Sequence, residues 1–241
     1  MLHFMIGVSS YAGAGMLLNF IRLFFAFTST AFFIASSFSA DIPDDTAAPL
    51  PLTKQTRALD VNQTKILHRA EAGDIESQVS MAKFYYEQKD VKDEAEGNRI
   101  EAAKWLKLAT AKEDHAEALY LLGKCHCWGF GVPLNTVLGV IYYLRSAKLN
   151  FAPAQYDVAK CYYTGACVTP DRAIAIRWCT AAAEQGLISA EFFLGRCYFT
   201  GQGVAPNRTE AYKWCMRAAA KDHEIGTIAK RYIKTNGLSV P

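Results

Sequence analysis

Seven cysteines are the residues of this 241-residue chain whose types most readily do chemistry, and their spacing is regular. Cys161 and Cys179 stand 18 residues apart, and so do Cys197 and Cys215. Cys125-His126-Cys127 has the residue types of a metal fragment. Successive residues on a helix point about 100° apart, so three in a row do not converge on one ion without further ligands. His115 and Cys167 have no spacing that would supply them, so no metal is expected. No nucleophile, base and orienter stand out in the order of the chain. The glycines of Gly129-Phe130-Gly131 and Gly201-Gln202-Gly203 follow no strand pattern and read as turns, not as a phosphate cradle. No cofactor and no catalysis are expected. Asn62-Gln63-Thr64 and Asn207-Arg208-Thr209 match the glycosylation pattern, which has meaning in a eukaryotic secretory pathway.

The elements that position these residues recur along the chain. Leu194 to Val204 (LGRCYFTGQGV) echoes Leu122 to Val132 (LGKCHCWGFGV) and, more loosely, Val158 to Val168 (VAKCYYTGACV). Gly123, Ala159 and Gly195 are 36 and 36 residues apart, as are Gly129, Gly165 and Gly201. Between these runs lies a second echo, which aligns Trp105, Tyr143, Trp178 and Trp214 at spacings of 38, 35 and 36. A fixed period of this length marks a stacked-repeat architecture.

The last copy shows the unit. Ala190, Leu194 and Tyr198 recur at helical spacing, Gly201, Gly203, Pro206 and Asn207 punctuate a turn, and Ala211, Trp214, Cys215, Ala218 and Ala219 form a second apolar stripe. The unit is helix, turn, helix, and it buries its apolar face by stacking on its neighbours. Glycine inside a helix costs about 1 kcal/mol against alanine. At Gly123 and Gly195 the expected compensation is close helix approach, with a ring of the second helix such as Trp178 or Trp214 filling the space. Four units are expected over residues 65–222. The first is lengthened by an acidic insertion, Glu87 to Asn98, which reads as a solvated loop. Residues 223–241 supply a capping helix, with Ile225, Ile228, Ala229 and Tyr232 on one face, and a tail.

The run A…LGxxYxxGxGVxxxxxxAxxWxxxAA is met by Ala190, Leu194, Gly195, Tyr198, Gly201, Gly203, Val204, Ala211, Trp214, Ala218 and Ala219. It resembles the Sel-one-like repeat family, a relative of the tetratricopeptide repeats with a slightly longer unit. The resemblance covers nearly all of Lys65 to Thr235. The third unit departs at Ala166 and Cys167, the second at His126 and Tyr143, and the first lacks the glycine turn. The resemblance implies an all-α fold: a right-handed α-solenoid of about four helix-turn-helix repeats that serves as a protein–protein scaffold. It implies no reaction, although cysteine-rich members have been linked to binding or processing cell-wall-type ligands.

A solenoid presents the first helices of its units on its concave face. About 140° from the core stripe, those helices carry two ladders. One is basic: Lys83, Lys124, Lys160 and Arg196. The other is aromatic: Tyr120, Tyr156 and Phe192, with Tyr86, Tyr163 and Phe199 one turn on. Cationic and aromatic groups together suit a protein or peptide segment carrying carboxylates and apolar anchors. The same residues also fit a solvated basic row and tyrosines packed between neighbouring helices.

In each of the last two units, one cysteine of the 18-residue pair falls on the first helix and the other beside the ring of the second. Bridges Cys161–Cys179 and Cys197–Cys215 are therefore expected if the chain is exported, each stabilising by about 3 kcal/mol. Small buried apolar residues carried along by duplication give the same spacing. In the second unit Tyr143 faces Cys125, and the odd total leaves at least one thiol unpaired.

From Met1 to Ala40, Arg22 is the only formally charged side chain. A short basic region, an apolar core from Leu23 and a small-residue end at Ser37 and Ser39 read as a signal peptide over 1–40, with Met16 as the better start. The chain is therefore expected to be exported, periplasmic or secreted. The alternative is a membrane-tethered adaptor, if this segment stays uncleaved. Residues 41–64, with Pro43, Pro49 and Pro51, read as a linker. The formal net charge of +3 is too small to imply a nucleic-acid partner.

Overall fold

The computed structural model describes residues 59–88 and 95–239. The expected signal peptide, its alternative start at Met16 and the linker up to residue 58 lie outside the described residues.

Ten helices follow one another, with no strand among the described residues. They are α1 (Val61–Glu71), α2 (Ile75–Glu87), α3 (Ala95–Thr110), α4 (Ala116–Trp128), α5 (Thr136–Lys148), α6 (Ala152–Thr164), α7 (Arg172–Glu184), α8 (Ile188–Thr200), α9 (Arg208–Ala219) and α10 (Glu224–Thr235). Packing is sequential. The pairs α2–α3, α4–α5, α6–α7 and α8–α9 make four helix hairpins, and each second helix packs on the first helix of the next. The chain is an α-solenoid of four helix-turn-helix units, and α10 packs on α9 at its end.

Local chemistry sets each hairpin. The first helices of the last three units stop at Gly129, Gly165 and Gly201, whose φ angles of 67°, 79° and 74° close a left-handed cap. Six residues later Asn135, Asp171 and Asn207 start the second helices, and each side chain accepts a hydrogen bond from the backbone N–H three residues on. The same backbone bond ties the turn to the helix before it: Asn135 to His126, Asp171 to Tyr162 and Asn207 to Tyr198, at 2.8–2.9 Å.

The core runs along the stack in successive clusters. Trp105, Leu119 and Leu122 belong to one, and Cys179, Leu194 and Trp214 to another. Ala118, Ala154 and Ala190 are wholly buried, which lets neighbouring helices approach closely. In the first, third and fourth units the next position along the helix carries a second device. Gln155 is buried and donates from Nε2 to Ala147 O, at the end of the preceding helix, at 3.4 Å. Gln78 does the same to Ala70 O at 3.0 Å. In the fourth unit the position is Glu191, 1 % exposed, which accepts from Arg217 at 3.1 Å and Lys221 at 2.9 Å. Arg217 in turn donates to Ala183 O at 3.2 Å, so the link to the preceding helix is kept.

Several expectations shift. Helix α1 begins at Val61, inside the expected linker, because Asp60 and Gln63 form a reciprocal capping box there. Lys65 to Glu71 therefore belong to a helix that precedes the first hairpin. The acidic insertion is also shorter than expected. Glu96 and Asn98 already lie in α3, and Asn98 is buried, with its amide 3.4 Å from Gln88 Oε1. The aromatic register moves by one residue. Tyr142 stands where the later units have Trp178 and Trp214, 36 and 72 residues on, whereas Tyr143 stands at the position of Cys179 and Cys215.

Candidate interaction surface

The two ladders lie on α2, α4, α6 and α8 at equivalent positions, and their side chains interleave between units. Lys124 reaches between two rings, with Nζ 5.3 Å from the Tyr86 centroid and 5.7 Å from that of Tyr120. Lys160 lies 5.2 Å from the Tyr156 ring, and the Arg196 guanidinium lies 6.0 Å from the Phe192 ring. Such contacts hold each cation over an aromatic face instead of letting it extend into water. Arg172 and Arg208 add two more, over Tyr163 at 5.4 Å and Phe199 at 5.6 Å.

The aromatic residues are half-buried because they bridge neighbouring units. Tyr120 contacts Tyr143 and Phe151, at 5.5 and 5.4 Å between centroids. Tyr156 and Tyr163 close edge-on around Phe193 of the next first helix, at 6.1 and 5.0 Å. Phe192 and Phe199 close in the same way on Tyr232 of α10, at 5.6 and 5.9 Å. Thus part of each ring serves inter-unit packing. Phe193 and Tyr232 are partners that the sequence stripe did not include, since Phe193 sits one residue off it and Tyr232 belongs to the capping helix.

Carboxylates divide the basic ladder. Lys83 pairs with Glu117 at 2.5 Å, and Lys160 pairs with Asp157 at 2.5 Å. Asp157 also accepts from the Tyr120 hydroxyl at 3.1 Å, across the boundary between the second and third units. Lys124 and Arg196 have no carboxylate partner among the described residues. Burial, and then the charge of Asp157, pushes the Tyr120 hydroxyl far above its ordinary range. Burial pushes Tyr156 up to about 12. Both phenols are neutral near pH 7, so lysine, arginine, aspartate and glutamate set the charge of this face.

All seven cysteines are free thiols in this structure, where no bond joins Cys161 to Cys179 or Cys197 to Cys215. Their side chains take other directions. Cys179 turns to the next unit, with Sγ 3.4 Å from Ala190 O, and an ionised Cys197 adds to the burial that raises its thiol. Cys215 fills the space beside Gly195, where a Cβ would stand 2.5 Å from its Sγ. At that position the filler is therefore the cysteine and not the ring of Trp214. Burial pushes the thiols of Cys161, Cys197 and Cys215 up to about 11, and that of Cys125 up to about 12. They behave as small apolar core residues. The Cys125-His126-Cys127 run diverges as helical geometry requires. Cys125 is buried in the core, His126 stacks on Tyr142 at 5.5 Å and Cys127 lies against Gly139.

The Sel1 repeat family matches four segments, residues 75–114, 116–151, 152–187 and 188–223. They coincide with the four helix hairpins. No curated protein matches the chain. Among solved structures, a protective antigen present in uropathogenic Escherichia coli strains, which displays an SLR fold, shares 29% identity at a TM-score of 0.65. That match covers 75% of this chain and 38% of the antigen. A Sel1 repeat protein from Oxalobacter formigenes shares 26% identity at a TM-score of 0.62, covering 72% of this chain and 48% of its own. The chain thus spans less than half the length of either of these proteins. Four consecutive matches over more than half of the residues, each on one helix hairpin of the α-solenoid, place the chain in the Sel1 repeat family.

Proposed function

We propose that this protein is an exported, non-catalytic scaffold that binds an extended protein segment along the faces of its first helices. The observation that carries this reading is the pair Lys124 and Arg196. Each is held over aromatic rings, and neither has a carboxylate of its own among the described residues, whereas Lys83 and Lys160 do. Two cations fixed in place with aromatic surface beside them match a segment with acidic residues and apolar anchors. Export rests on the pattern of the first forty residues.

The direct test is the triple substitution Lys124→Glu, Lys160→Glu and Arg196→Glu, followed by crosslinking pull-down from the native compartment. Partners should be lost while far-UV circular dichroism keeps its helical signal. The same partners captured with undiminished affinity by a helical triple variant would rule the surface out. N-terminal sequencing of the mature protein tests export, with a new terminus expected near Asp41.

A further inference from the structure

Five of the seven cysteines repeat in register. Cys125, Cys161 and Cys197 occupy one position of the first helices, and Cys179 and Cys215 one position of the second. All five are buried, and duplication of a core position accounts for them. Cys127 and Cys167 break the pattern. Cys127 stands where the third and fourth units have Tyr163 and Phe199, and Cys167 where the second and fourth have Gly131 and Gly203. They are also the two that water reaches, Cys127 being half-buried and Cys167 exposed.

The position of Cys167 is one that the fold otherwise reserves for glycine. Gly131 and Gly203 are left-handed, with φ of 67° and 84°. A Cβ on them would stand 2.0 Å from Arg99 O and 2.6 Å from Arg172 O, at the start of the preceding second helix. Cys167 keeps the left-handed backbone, with φ of 62°. The third unit nevertheless has room for a side chain, and its Sγ lies 3.2 Å from Thr136 Oγ1, at the start of α5. Cys127 comes to the same turn of α5, where a Cβ on Gly139 would stand 2.4 Å from its Sγ. Thr136 and Gly139 are three apart, neighbours on one helix face about 5–6 Å from each other. The two exceptional sulfurs thus both lie against one turn of one helix, although they come from different units. An ionised Cys167 adds to the burial that holds the Cys127 thiol up, which agrees with their closeness.

We propose that Cys127 and Cys167 form a reversible disulfide that staples the turn of the third unit to the first helix of the second. The oxidant is a small-molecule or protein disulfide. Cys167, the exposed partner, loses its proton and attacks one sulfur of the donor, forming a mixed disulfide and releasing one thiolate. The Cys127 thiolate then attacks the Cys167 sulfur, forming the protein S–S bond and releasing the second thiolate. Two electrons pass from the protein to the donor, and the two released thiolates take up the two protons. The bond fixes the boundary that Tyr120 and Asp157 also span, so oxidation stiffens the basic and aromatic face at its middle.

The test uses the full chain, reduced and then exposed under native conditions to oxidised glutathione, with free thiols alkylated and peptides mapped by mass spectrometry. Free thiols should fall by two from the seven present, with the peptides of Cys127 and Cys167 joined. Cys127→Ser and Cys167→Ser should each form no intramolecular bond while keeping the helical circular dichroism of the parent. A Cys127–Cys161 linkage, a glutathione adduct resting on Cys167 alone, or no change in thiol count would each overturn the proposal.

Discussion

The ring of Tyr143 lies against the bare Cα of Gly123: a Cβ built on the glycine would stand 2.7 Å from Tyr143 Cδ1. The equivalent pair in the fourth unit is Gly195 and Cys215, at 2.5 Å. Glycine is thus retained inside both helices because the second helix leaves no room for a methyl group. Gly195→Ala gains about 1 kcal/mol of helix propensity and loses about 2–3 kcal/mol to overpacking, a net loss of about 1–2 kcal/mol. Adding Cys215→Ala should recover most of it, since the nearest backbone atom, Ala211 O, is 3.1 Å away. At Gly123 the backbone itself obstructs, with Gly139 O at 2.9 Å, so Tyr143→Ala should not rescue Gly123→Ala. Urea midpoints of the single and double variants decide between these outcomes.

Asp74 caps α2 and gives the first hairpin a pH dependence. A hydrogen bond from the Ser77 hydroxyl is the main cause that lowers its carboxyl below the ordinary value, against a partial opposing effect of burial, and Arg69 assists. The folded pKa is depressed, so this contribution is fully present above the unfolded pKa and is lost as pH falls through the folded one. Ser77→Ala should move the Asp74 titration, followed by carboxyl carbon NMR, back towards the ordinary value. Asp74→Asn should keep the cap and remove the pH dependence. An unchanged Asp74 midpoint in Ser77→Ala would show that the hydroxyl is not the cause.

Residues whose effect is local were readable from the sequence alone. Gly129, Gly165 and Gly201 end helices because only the left-handed backbone closes that cap, and a 36-residue period states the stacking directly. Adjacent candidates were harder. With Tyr142 and Tyr143 side by side, residue type favours neither, and it is the strict 36-residue spacing that puts Tyr142 with Trp178 and Trp214, in agreement with Tyr143 standing beside Gly123 as Cys215 stands beside Gly195. The 18-residue cysteine spacing identifies the helices but not the χ1 rotamer, and Cys179 points to Ala190 of the next unit. The ladder residues do fall on the first helices of the four units, as their spacing requires. What sequence did not give was Asp157, one residue beyond the stripe, which neutralises Lys160 and orients Tyr120. Its one signal was its position three residues before Lys160.

Glu191 is the most deeply buried carboxylate among the described residues, held by Arg217 and Lys221. Both cations are partly exposed and can be hydrated when the carboxylate is removed, so the larger penalty falls on the carboxylate when the cations go. Arg217→Met with Lys221→Met should cost about 3 kcal/mol, and either single change markedly less, because the second cation remains. The third unit supplies the rescue. Gln155 occupies the same position and donates to Ala147 O, so Glu191→Gln in the double variant should reach Ala183 O and restore most of the stability. Chemical denaturation of the three backgrounds reads this, and equal stability of the double and triple variants would refute it.

The left-handed turn position separates glycine from cysteine in a measurable way. Gly203→Ala forces a Cβ to within 2.6 Å of Arg172 O and a left-handed backbone on alanine. Together these should cost about 2–5 kcal/mol. Cys167→Gly works in the opposite sense: it relieves about 1–2 kcal/mol of left-handed strain but returns about 0.5–1 kcal/mol through the entropy of the unfolded chain. The net change should stay within about 1.5 kcal/mol, although the substitution removes a side chain. A loss above that from Cys167→Gly, read as a fall in the urea midpoint under reducing conditions, would mean that the Cys167–Thr136 contact itself holds the turn and that room for a side chain there is a structural need.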